Sequence, residues 1–229
     1  MTQLMATIKL WITAMFLGCL VILSLLKRCF TKGFQVLKYK KRERPPCLDD
    51  LCYGTHRFLH LKENVKIHYI ISGPEDKPLM LLVHGFPEFW YSWRHQILEF
   101  QKDYRVVAID QRGYSESSKP EGIEHYTMTK LMSDLSQVIQ GLGAFTPAIN
   151  YYRALLQLNS AVDHDLEYTM PTLLIWGEED SALDMIIPKT IQELAPKITV
   201  KIIKGANHFV QNYAPEEVNK IMRDWLKEE

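Results

Sequence analysis

The sequence predicts an α/β protein built on a largely parallel sheet with helices on both faces, preceded by one membrane-spanning helix. Three observations carry that expectation. Beyond residue 57, short apolar runs of strand length alternate with amphipathic helical segments. Between Lys9 and Lys27, 17 consecutive residues, LWITAMFLGCLVILSLL, carry no charge. All four cysteines, Cys19, Cys29, Cys47 and Cys52, fall in the first 52 residues, so neither a disulfide framework nor a multi-cysteine metal site supports the body.

The chain has 229 residues, 47% hydrophobic and 24% charged, the profile of an ordinary globular protein. Its 27 basic and 27 acidic side chains are unevenly spread: residues 1–56 hold 9 and 3, residues 57–229 hold 18 and 24. A basic head on an acidic body excludes a generally basic nucleic-acid binder, and no nucleic-acid partner is expected.

Residues 1–9 form the N-terminal flank and residues 10–26 the anchor. As a helix those residues span roughly 25 Å, slightly less than a bilayer core, which snorkelling lysines and an interfacial Trp11 accommodate. The expected partner is therefore a lipid bilayer, crossed once; a cleaved signal peptide is the competing reading, although no small-residue cleavage site follows the run. Lys27, Arg28, Lys32, Lys38, Lys40, Lys41, Arg42 and Arg44 follow the run and Lys9 precedes it, which places the body in the cytosol, as at an endoplasmic reticulum membrane. Residues 27–56, where the charge run leads into Pro45-Pro46, read as a basic linker.

In the body, residues 57–61 and 65–71 read as two short strands, and Leu79–Val83 as a buried parallel strand. The loop His84-Gly85-Phe86-Pro87-Glu88 leads to a helix over 89–100, a second buried strand Arg105–Ile109 and the turn-rich loop DQRGYSESSKP. Met128, Leu131, Leu135, Val138, Ile139 and Leu142 share one helical face, which Gly141 and Gly143 terminate. A strand over 172–176, a helix Ile186–Leu194 and a strand Ile198–Ile203 follow, and Pro215-Glu216-Glu217 opens a last helix with proline and acids in its first turn.

Catalytic groups in such sheets gather at the carboxyl ends of the strands, and four loops begin there. Gly85 lets the first turn sharply, leaving amides to face an anion. Asp110 and Arg112 in the second suit bonds to neighbouring loop backbone. Asp180, in Trp176-Gly177-Glu178-Glu179-Asp180, and His208, in Gly205-Ala206-Asn207-His208, stand 28 residues apart in matching positions and suit an orienting carboxylate and a general base.

The strings HGFPEFWYSWRHQI, VVAIDQRGYSESSKP, NYYR, PTLLIWGEED and GANHFVQNYAPEEV, in that order, resemble the epoxide hydrolase family of the α/β-hydrolase fold, in its membrane-anchored branch. The resemblance implies hydrolysis of epoxides to diols, with a small-molecule epoxide or lipid-like substrate and no cofactor. It implies that the Phe86 backbone supplies an oxyanion-hole amide, that Asp180 orients His208, that His208 activates water, and that Tyr152 is a lid phenol bonding the epoxide oxygen. Where the family usually reads Arg-Gly-Tyr-Gly, this chain has Arg112-Gly113-Tyr114-Ser115. No metal is expected, because His84, His164 and His208 have no spacing that suggests a shared ion.

One motif is missing. The resembled enzymes attack the epoxide with an aspartate on a sharp strand-to-helix elbow, in a string like His-Asp-Trp-Gly-Gly, and no such string occurs in this chain. The sequence passes at about residues 143–145 from the N-terminal half of the core, 57–143, to a lid remnant over 144–160, and then to the C-terminal part of the core, 161–229. The resemblance thus implies an internal deletion, as from a splice variant or an incompletely assembled gene, that removes the central nucleophile strand and most of the lid. Either the strands at 79–83 and 172–176 pair directly, or their edges lack partners, at about 1 to 3 kcal/mol per buried unpaired group. The leading expectation is a membrane-anchored, epoxide-hydrolase-like chain without turnover. A non-catalytic or dominant-negative partner of a full-length hydrolase, and a hydrolase with an unrecognised nucleophile, are the alternatives.

Overall fold

The computed structural model describes residues 2–38, 43–143, 171–195 and 197–228. They fall into two units, Met1–Pro46 and Cys47–Glu229. Helix α1, Thr2–Lys32, dominates the first. Its stretch Trp11–Lys32 is long and apolar enough to cross a membrane, and none of it is buried in protein. The helix outruns the uncharged segment because lysine and arginine are good helix formers; Gly33, at φ 75°, ends it.

The second unit begins ahead of the expected first strand. Short 3-10 turns span Pro46–Asp49 and Leu51–Tyr53, and Leu48 and Tyr53 pack against the core around Trp90. The end of the expected linker is thus drawn into the compact unit by apolar side chains that its surrounding charges obscure in sequence.

Strands β1 (Thr55–His60), β2 (Lys66–Ser72), β3 (Leu79–Val83) and β4 (Arg105–Ile109) form a sheet in the order β1-β2-β4-β3. Its β3–β4 pairing is parallel and the other two are antiparallel. Alternation along the strands sorts the side chains between two layers. Ile70, Leu82, Val106 and Ala108 meet Ile97 and Phe100 of α2 (Arg94–Phe100) together with Trp90. Ile67, Tyr69, Val107 and Ile109 meet Val138 and Leu142 at the end of helix α3 (Met128–Gly141). Both faces are therefore covered, as expected. The helix expected over 89–100 starts instead as a 3-10 turn, Trp90–Trp93, because the Trp90 amide is taken by Asp110 Oδ1 at 2.8 Å.

Strands β5 (Thr172–Gly177) and β6 (Ile198–Ile203) form a separate parallel pair linked by helix α4 (Ile186–Leu194). A short helix α5 (Val210–Tyr213) and the long α6 (Pro215–Glu228) follow. Met222 of α6 packs on both the Trp90 cluster and the Ile203–Ala206–Val218 cluster, tying the two sheets together. Among the described residues β3 and β5 share no ladder, and each is an edge of its own sheet. Of the two expected arrangements, direct pairing is thus absent among the described residues. The junction beyond Gly143 and the expected lid remnant, with Tyr152, lie outside the described residues.

Candidate active site

The four expected loops do sit at the carboxyl ends of β3, β4, β5 and β6. After β3, His84 is buried. Its Nδ1–H donates to the Gly85 carbonyl at 2.8 Å and its Nε2 accepts the Gln111 amide at 3.0 Å, which fixes a neutral tautomer. Glu88 Oε2 accepts the Gly85 amide at 3.3 Å, and Oε1 accepts from Gln211 at 2.9 Å. The Phe86 amide has no hydrogen-bond partner among the described residues, and its side chain is 81% exposed. Glu88 is thus the residue that ties the loop carrying Phe86 to the helix that follows His208.

Asp110 and Arg112 hold loops together, as expected. Burial pushes the Asp110 carboxyl upward, but hydrogen bonds from His68 and the Trp90 amide outweigh it and leave the group below its ordinary value. The Arg112 guanidinium grips Asp134 of α3 through two bonds of 2.6 Å and donates to the His125 carbonyl at 2.7 Å.

Asp180 and His208 meet. His208 Nδ1 lies 2.8 Å from Asp180 Oδ2, whose side chain is only 4% exposed. Asp180 Oδ1 accepts the amides of Ala182 at 2.8 Å and Leu183 at 2.9 Å. Burial alone would raise this carboxyl, but the His208 bond and the two amides together depress it, so it stays ionised and accepts from Nδ1–H. That leaves His208 Nε2 as the basic nitrogen, with no hydrogen-bond partner among the described residues. The imidazole is 32% exposed. The two loops approach closely because residue 177 is glycine: a Cβ there would stand 2.3 Å from the Asn207 carbonyl oxygen and 2.4 Å from that of Ala206. The Glu179 amide donates to Ala206 O at 2.9 Å across the same seam.

An open cleft of about 470 Å³ beside these loops is lined by Pro87, Tyr91, Arg94, Asn207, Phe209 and Tyr213. Arg94 Nη1 crosses its base to Asn212 Oδ1 at 2.5 Å. Sequence reasoning missed Glu88, Arg94, Gln211 and Asn212 as the residues that join the loops. Their only signal was membership in the resembled strings, because their pairing spans 118 to 124 positions.

A family model described as alpha/beta hydrolase fold matches residues 78–149. Epoxide hydrolase 3 of Xenopus tropicalis is 28% identical over 304 residues, covering 82% of each chain. The mouse epoxide hydrolase 4 is 48% identical over 111 residues, 48% of this chain and 31% of that protein. The chain is thus similar to epoxide hydrolases, and its fold is that of the α/β-hydrolases. Among solved structures, the Bacillus megaterium epoxide hydrolase bound to an inhibitor superimposes with a TM-score of 0.63 at 23% identity, over 75% of this chain and 100% of that one. At that identity the superposition speaks for fold alone. The 304 residues aligned with the frog protein exceed the whole 229 of this chain, so the match is bridged by long gaps on its side.

Proposed function

We propose that this chain is a membrane-anchored, epoxide-hydrolase-like protein that keeps the water-directing half of the site and does not turn over epoxides. The observation that carries the reading is the Asp180–His208 pair at 2.8 Å. It holds Nε2 basic with no aspartate, serine or cysteine side chain bonded to it among the described residues. In a two-step hydrolysis, a carboxylate first opens the strained ring to give an ester, and an oriented imidazole then takes a proton from the water that attacks it. Asp180 and His208 suit the second step, and the Phe86 amide suits the oxyanion formed there. The substrate that such a site would serve, were the missing carboxylate present, is an epoxide hydrolysed to its diol. Tyr152 would be a lid donor to the epoxide oxygen.

Purified full-length chain given styrene oxide is expected to form diol at the rate of its His208→Ala variant. Turnover that His208→Ala abolishes would sink the inactivity claim and reveal an unrecognised nucleophile. For the anchor, residues 10–26 span the bilayer, and the basic residues from Lys27 to Arg44 hold the body on the cytosolic face of the endoplasmic reticulum. Protease added to intact microsomes should therefore digest the body; full protection would place it in the lumen. The edges of β3 and β5, which carry no ladder partner among the described residues beyond β4 and β6, favour a second reading, pairing with an intact hydrolase. Failure of the two chains to co-purify when co-expressed would end it.

A further inference from the structure

Two imidazoles meet in the N-terminal sheet in a way that the epoxide-hydrolase reading does not use. His56 of β1 and His68 of β2 are diagonal neighbours on one sheet face, because His56 pairs with Ile70 and Phe58 with His68. Nδ1 of His56 and Nε2 of His68 stand 2.8 Å apart. Each ring's other nitrogen is already committed. His56 Nε2 is 2.8 Å from the Leu48 carbonyl, an oxygen that can only accept. His68 Nδ1 is 2.7 Å from Asp110 Oδ2, while Asp110 Oδ1 accepts the Trp90 amide. With both outer nitrogens donating, two neutral rings present bare lone pairs to each other. A positive species must lie between them, either a proton or a metal ion.

The surroundings favour the metal. One ring nitrogen of each histidine and a Glu116 carboxylate oxygen all lie within 4.8 Å of one another, a two-histidine, one-carboxylate donor set of the kind that holds zinc. The outer bonds, one ring to a backbone carbonyl and the other to a carboxylate, are the supports that metal-ligating histidines usually have. His68 is 0% exposed, so its lone pair cannot turn to water instead. Zinc–nitrogen bonds of about 2.0 to 2.1 Å at a tetrahedral angle require nitrogens about 3.3 Å apart, so the rings need part by only about 0.5 Å. The half-buried His56 has room to give it.

We propose that His56, His68 and Glu116 form a site for a first-row divalent cation of the zinc type. The ion fastens β1 and β2 to the loop after β4. It has no part in the chemistry at His208.

The test uses the full chain in detergent, stripped with a chelator and titrated with Zn2+ by calorimetry, then with Co2+ by absorption. One equivalent should bind, raising the thermal midpoint. The Co2+ spectrum should be tetrahedral, without the thiolate charge-transfer band that the free cysteines would give. His56→Gln should weaken binding on the order of 100-fold and Glu116→Gln roughly 10-fold. If His56→Gln does not fold, Glu116→Gln and the Co2+ spectrum decide. Absence of stoichiometric binding, binding that Glu116→Gln leaves intact, or a thiolate band each overturns the proposal and leaves a shared proton between the rings.

Discussion

Strands β4 and β5 are made of much the same residue types, RVVAI and TLLIWG, yet four of five positions in β4 are buried and one of six in β5. The difference is neighbours. Strand β4 lies between β2 and β3, with α2 and α3 on its faces, whereas β5 has only β6 beside it among the described residues. Strand β3 serves as a control within the first sheet. It is the apolar LMLLV with one laddered side, and one of its five positions is buried. Apolar composition marks a strand for the interior, but only flanking strands and helices complete its removal from water.

The largest effect should come from breaking the buried ion pair of the better-packed half. Asp134→Ala leaves the Arg112 guanidinium, whose side chain is 2% exposed, without its carboxylate. It should cost about 3 to 5 kcal/mol in denaturant unfolding. A loss under about 1 kcal/mol would mean that the region around β4 is no better consolidated than that around β5.

Next comes one chemical change made in both strands. Ile109→Ala in β4, at a residue 1% exposed, should cost about 3 kcal/mol, and Ile175→Ala in the half-buried β5 about 1 kcal/mol. Equal losses would erase the contrast and point to cover on β5 beyond the described residues. Gly177→Ala should act locally. Its methyl meets two backbone carbonyls, which cannot yield as a side chain can, so the loops must part. The downfield Nδ1 proton resonance of His208 should then disappear from the NMR spectrum, and its survival would show that the seam is compliant.

The smallest effect is on pH dependence. The Asp180 carboxyl is held below its ordinary value. The stability from its pairing is therefore fully present above the unfolded carboxylate value and lost as pH falls through the lower folded one. Asp180→Asn should flatten acid unfolding in that window, and an unchanged acid limb would remove the dyad from the stability of the second sheet.

Much of this was legible in sequence. Leu79–Val83, Arg105–Ile109, Ile186–Leu194 and Ile198–Ile203 match to the residue, because buried strands and amphipathic helices write their period into the chain. Asp180 and His208 were readable as a pair because each follows a strand by a fixed short step in neighbouring parallel units. Leu48 and Tyr53 were not, since an apolar residue among charges carries no period. Neither was the cluster of His56, His68 and Glu116. Its members are 12 and 48 positions apart, and a strand register together with a loop path brings them to one point.

The sequence alone determined the strand and helix segments, the apolar N-terminal helix and the loops that hold the acid and the histidine, because each depends on local periodicity, charge and chain order. Tertiary structure decided which strands pair, which tautomers the buried imidazoles adopt and which distant donors converge. Those depend on the partner each backbone and ring nitrogen finds across the fold, and no local stretch of chain encodes that partner.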